Sequence, residues 1–171
     1  MGKQQLIKRL KSYYPLERFH AFVTFPVILL YILYNNAVAD VVFLLYGLGI
    51  IIFVLIQGQH YWKLKLYRLL KKPFDQQYNI DLFKKAKTIN GYLIALIPLI
   101  LLVQLYINAW TIVSENLMNW AICANVFGVL EHINYYHRQL MIDNRADVDY
   151  LMTNKKLKVA SLAKDLNENH F

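Results

Sequence analysis

The sequence predicts an all-α membrane protein: a bundle of four transmembrane helices, with short amphipathic cytoplasmic helices at both termini. Three observations carry this expectation. The 171 residues are 57% hydrophobic and only 18% charged, against about 25% charged in an ordinary soluble domain. Charges are absent from residues 19–39, 41–62 and 88–114, and each stretch reaches the roughly 20 residues that a helix needs to cross a bilayer core of about 30 Å. The 19 Lys and Arg residues also keep to alternate connections along the chain.

Taken in order, residues 1–18 form a basic cytoplasmic segment. Leu6, Leu10 and Tyr13 recur at helical spacing among Lys8, Arg9 and Lys11, the pattern of a short helix lying on anionic headgroups. The first span covers about residues 19–37, with Pro26 as a kink site. Ala37-Val38-Ala39 has the small-residue form of a leader cleavage site, but the long segment before the apolar stretch favours a retained span over removal of residues 1–39. Met1-Gly2 is followed by Leu6 where a myristoylation motif asks for Ser or Thr.

The second span, 41–62, holds Gly47, Gly49 and Gly58 as helix-packing positions. Its helix is expected to run on to Pro73. A basic cytoplasmic loop, 63–88, follows, with Asp81 as the expected cap of the helix entering the third span, 89–112. The fourth span, 117–137, is the least apolar, because Glu131 falls within it. Its Cys123 is expected to be a small buried residue, and as the sole cysteine it excludes an internal disulfide. Residues 138–171 form a cytoplasmic tail in which Val148, Leu151 and Met152, then Val159, Leu162, Ala163 and Leu166, recur at helical intervals.

Orientation follows from the cations. Five precede the first span, eight lie between the second and third, and six follow the fourth, while the two opposite connections hold only Asp40 and Glu115. The positive-inside rule puts both termini and the 63–88 loop in the cytoplasm. The net charge of +8 is thereby assigned to topology and anionic lipid, and no nucleic-acid motif is present. Lys8, Arg9, Lys11, Lys63, Lys65, Arg68, Lys71 and Lys72 are the expected lipid-facing cations. A second copy of the chain is the other expected partner.

Chemistry is harder to place. No phosphate loop, nucleophile elbow or His-Glu-x-x-His motif occurs, so a non-catalytic, lipid- or protein-interacting membrane component is the leading expectation, with no catalytic residue and no cofactor. His20, His60, His132 and Glu131 lie near the cytoplasmic ends of spans. Imidazole and carboxylate suit a transition metal, and imidazole suits haem, so a metal- or haem-binding oxidoreductase is the alternative. A small dimeric transporter is the second. Glu131 is expected to face the bundle and to form an ion pair with Arg138, two turns on, or with Arg18. Gln104 and Asn125 are expected to hydrogen-bond between helices.

Two segments carry a family likeness: Tyr13-Tyr14-Pro15-Leu16-Glu17-Arg18-Phe19-His20 and Leu130-Glu131-His132-Ile133-Asn134-Tyr135-Tyr136-His137. With the ending that contains Lys155-Lys156-Leu157-Lys158 and Ser161-Leu162-Ala163-Lys164-Asp165-Leu166, the chain resembles small four-span bacterial membrane proteins, some of them labelled general stress proteins. The resemblance implies a stress-related membrane role and no catalytic residues.

Overall fold

The computed structural model describes residues 3–142 and 144–171. The chain is all-helical, with 81% helix. Among the described residues the only extended pairing is an isolated bridge between Arg138 and Val159. Helix α1 (Lys3–Phe19) runs through a π-turn (His20–Thr24) into α2 (Phe25–Asn35). Pro26 has no N–H to bond four residues back. The wide turn before it, closed by the Phe25 N–H on the His20 carbonyl, takes up that misfit. The basic N-terminal segment is therefore no separate surface helix. It is the first part of one rod, and it packs on α3 with Leu10 buried.

Helix α3 (Val38–Leu69) is the central element, touched by α1, α2, α4 and α5. It runs past Trp62 and stops ahead of Pro73. Lys71 takes a left-handed φ of 56°, and the Lys72 N–H reaches back to the Tyr67 carbonyl at 2.9 Å, closing the last turn as a glycine often does. Helix α4 (Gln76–Ile107) starts five residues before the expected cap. Asp75, not Asp81, accepts the Tyr78 N–H at 2.9 Å, while Asp81 accepts from Gln77 within the helix. A short side chain caps only from just outside the first turn, and Pro73 leaves Asp75 in that extended position.

The three helical stretches Lys3–Asn35, Val38–Leu69 and Gln76–Ile107 are long and apolar enough to cross a membrane. Helix α5 (Met118–Tyr136) is not among them. Its 19 residues would reach about 28 Å, but Asn119, Asn125, Glu131, His132 and Asn134 dilute its apolar character. Its contact with α3 is close because Gly47 and Gly128 are at the crossing: a Cβ on Gly47 would lie 2.8 Å from the Asn125 backbone nitrogen, and one on Gly128 would lie 2.8 Å from Ile50. Gly49, expected to pack, has nothing within 4 Å. Cys123, expected to be buried, is exposed, because it sits on the face of α5 turned away from α3.

The tail divides in two. Helix α6 (Arg145–Asn154) is capped by Asn144 yet leaves Val148 and Met152 exposed. Helix α7 (Ser161–Asn167) buries Leu162, Ala163 and Leu166, and with Phe171 it joins a core made by Tyr61, Ile80, Phe83 and Tyr136. Tyr61 donates to Asp165 at 2.7 Å, and Arg68 pairs with the same carboxylate at 3.7 Å. Arg68 is thus not a lipid-facing cation; it ties α7 to α3.

At the other end of α3 the backbone breaks at Val41 (φ −126°, ψ 15°). Three neutral amides repair it. Gln104 accepts the Phe43 N–H at 3.1 Å and donates to the Ala39 and Asp40 carbonyls at 3.0 and 2.9 Å. Asn116 donates to Asp40 O at 3.3 Å, and Asn125 donates to Phe43 O at 2.9 Å. Gln104 and Asn125 do bond between helices as expected: Gln104 meets backbone groups at the break, and Asn125 donates to the Phe43 carbonyl one step beyond it.

Candidate functional site

Helices α1 and α5 both lean on α3 but scarcely touch each other. The space between them, closed below by the tail, is a cavity of about 680 Å³. Glu17 lines it. The Tyr135 hydroxyl donates to Oε2 in a short hydrogen bond, and the Trp62 indole N–H donates to Oε1 at 3.1 Å. Gly58 makes this possible, since a Cβ there would collide with Tyr135 and come within 2.7 Å of Glu17 Oε2. Burial pushes the Glu17 carboxyl up to about 7, with the nearby Glu131 adding to the rise and the two donors opposing it.

Glu131 lines the same cavity, with Asn134 as its hydrogen-bonding neighbour. It faces inward as expected, but the expected ion pair does not form: among the described residues neither Arg18 nor Arg138 lies within 4.0 Å of it. Helix α5 ends at Tyr136, and His137 leaves helical geometry (φ −135°, ψ −72°). Arg138 is therefore carried off the Glu131 face to the Leu157 carbonyl at 3.5 Å. Arg18, next to the inward Glu17, is exposed.

Cations stand at the mouth. Lys65, expected to face lipid, turns inward over the Tyr61 and Trp62 rings, 5.5 and 5.3 Å from their centroids. Burial lowers its amine to about 8; Asp165 opposes the shift, and Arg68, Arg9 and Lys164 add to it. Arg9 and Lys158 also line the cavity, and Lys158 is held by Asp147 at 2.6 Å. Phe25 and Phe127 stack at 6.3 Å across the end farthest from these cations.

The expected metal or haem ligands are not brought together. His20 turns Nδ1 to Thr24 Oγ1 at 3.1 Å and lines the cavity with Glu131. His60 is engaged on α4, with Nε2 2.7 Å from Asn79 Oδ1. His132 stacks on Tyr136 at 5.1 Å. One residue along a helix is about 100° of rotation, so Glu131 and His132 face different neighbours. Among the described residues no three His, Cys, Asp or Glu side chains are grouped to hold a metal ion. A separate neutral network joins α3, α4 and α5: Gln57 and Asn90 exchange bonds at 3.1 and 2.8 Å, and Tyr136 donates to Gln57 at 2.7 Å.

Sequence reasoning named Glu131 but not Glu17, Trp62, Tyr135 or Lys65 as parts of one site. A signal existed: Glu17 is the sole acid among the five cations before the first span. Comparison with protein-family models, with curated proteins and with solved structures gives no match.

Proposed function

We propose that the chain is a four-span protein of a bacterial inner membrane, with both termini cytoplasmic, and that it is a non-catalytic component interacting with anionic lipid through its basic end. The observation that carries this reading is the apolar girdle. Val27, Leu30, Tyr34, Leu99, Leu102, Trp120 and Val126 are exposed on α2, α4 and α5, and apolar surface so extensive belongs against lipid. α5 is the fourth span, with Asn125 turned onto α3, Glu131 and Asn134 onto the cavity, and Asn119 exposed in its first turn. At about 48 Å, the 32-residue α3 outreaches a bilayer core of about 30 Å, so its Lys63–Leu69 end stands among headgroups. Lys8, Lys11, Lys71 and Lys72 are exposed there and supply the lipid contact. A role under stress is supported by the resemblance of the two motif segments alone.

Single cysteines placed at Gln4, Ser114 and Asn154 in a Cys123→Ser background test the topology. Membrane-impermeant maleimide should label only position 114 in intact cells, and all three after permeabilisation. Labelling of position 4 or 154 from outside would overturn the orientation. Lipid retained by the purified protein should be enriched in anionic species, and enrichment should fall in Lys71→Gln/Lys72→Gln.

A further inference from the structure

We propose that the cavity between α1 and α5 binds a lipophilic organic cation, a positive group carried directly on an apolar or aromatic body. The proposal relies on the four-span reading only for the direction from which the ligand enters. A volume of about 680 Å³ is within the roughly 300–1,000 Å³ of sites for small organic molecules. The lining is layered. On α1 and α2, Arg9, Glu17 and Phe25 follow one another at intervals of about 12 Å, from a rise of 1.5 Å per residue. On α3, Lys65 is at the Arg9 end and Leu55 at the Phe25 end; on α5, Phe127 lies one turn beyond Glu131. Cations therefore ring the cytoplasmic mouth, two carboxylates occupy the middle, and apolar side chains close the membrane end.

The middle layer lacks a counter-charge. Among the described residues no salt bridge reaches Glu17 or Glu131, while Lys158 is committed to Asp147 and Arg68 to Asp165. A buried carboxylate is costly without a proton or a positive partner. Trp62 and Tyr135 beside Glu17 add aromatic surface of the kind that attracts cations. The order of layers decides against a phospholipid, whose phosphate is separated from its acyl chains by the glycerol esters alone and would lie close to the glutamates. A cation borne directly on an apolar body places its charge at Glu17 and Glu131 and its body against Phe25, Leu55 and Phe127. The Phe25–Phe127 stack is then the door to the bilayer.

Protons compete for the same carboxylates. The titratable groups sharing the cavity with Glu17 are Arg9, Tyr13 and His20 on its own rod, Tyr61 and Lys65 on α3, Glu131 and Tyr135 on α5, and Asp147 and Lys158 from the tail. Affinity should rise from pH 6 to pH 8 as Glu17 loses its proton, and the partial loss of charge on Lys65, whose amine is lowered to about 8, acts in the same direction.

The test uses the purified full chain in a neutral detergent and two nearly isosteric probes, tetraphenylphosphonium and tetraphenylborate, in equilibrium dialysis. Saturable 1:1 phosphonium binding is expected, with borate bound at least roughly tenfold more weakly. Glu131→Gln should weaken phosphonium binding about tenfold, equivalent to about 1.4 kcal/mol, with unchanged helicity and melting. Phe127→Ala should weaken it through lost apolar contact without touching the carboxylates. No saturable phosphonium binding, equal or tighter borate binding, or full affinity in both variants would overturn the proposal. Borate binding lost in Lys65→Met would reassign the cavity to an anionic headgroup and overturn it too. The maleimide labelling reads topology independently, so a wrong orientation and a wrong ligand give different results.

Discussion

The two ends of α3 meet the same difficulty, polar groups inside an apolar bundle, and resolve it in opposite ways. Around Val41 three neutral amides satisfy the backbone groups that a helix break exposes, and they fill the space. Around Gly58 the chain brings in Glu17 and Glu131, supplies hydrogen-bond donors but, among the described residues, no ion-pairing cation, and keeps a cavity of about 680 Å³. Neutral amides carry no charge to settle, and here all their polar atoms but the Asn125 side-chain oxygen find a partner. Carboxylates in a partly dry site retain an unsettled charge. The first end is built for structure, and the second has the features of a site.

Four substitutions test that contrast, from the largest effect to the smallest. Gly58→Leu should abolish folding in detergent, because even its Cβ would collide with Tyr135 and Glu17; a melting transition like that of the native chain would show that the cavity wall yields. Gln104→Leu should cost about 2–3 kcal/mol by stranding the Phe43 N–H and the Ala39 carbonyl and leaving the Asp40 carbonyl to Asn116 alone, read as a lower melting temperature. A cost below about 0.5 kcal/mol would mean that water or neighbouring groups take over the clamp.

Glu17→Gln should act through pH. The Glu17 carboxyl is raised from 4.5 to about 7 in the folded chain, so the folded state binds the proton more tightly than the unfolded one. Its contribution is fully present below pH 4.5 and is lost as pH rises through 7, by less than about 3 kcal/mol. The native chain should therefore lose stability between pH 5 and 8 more steeply than Glu17→Gln, and the variant should be the more stable at pH 8. Parallel pH profiles would remove Glu17 from the unsettled middle layer. Gly49→Ala, with open space around it, should stabilise by under about 1 kcal/mol. A loss there would point to a helix packed on that face in an oligomer.

Much of the fold was legible in composition and spacing because a bilayer imposes a one-dimensional rule on the chain. Long uncharged runs became the long helices, and Pro73 marked where the α3 helix gives out. The surface helix expected at residues 1–18 was misjudged because its basic spacing suits a membrane surface as well as the open side of a rod continuous with α2. Glu131 was legible as an inward group, since a carboxylate in an apolar stretch has few other places to go. Its ion pair was not. The spacing to Arg138 assumed that the helix continued, and α5 ends at Tyr136.

By itself, then, the sequence determined the all-helical class and, of the four spans it predicts, the three that are helices long and apolar enough to cross a membrane, because those follow from the cost of unpaired backbone groups and charges in hydrocarbon. Tertiary structure alone decided which polar residues meet. Glu17, Gly58, Trp62, Glu131 and Tyr135 come from three helices far apart in the chain. Their convergence depends on how each helix is rotated on α3 and on small residues such as Gly58 that permit close approach. Such rotations leave no mark in hydropathy, and they separate His60 and His132 from His20 as surely as they bring the two glutamates to one cavity.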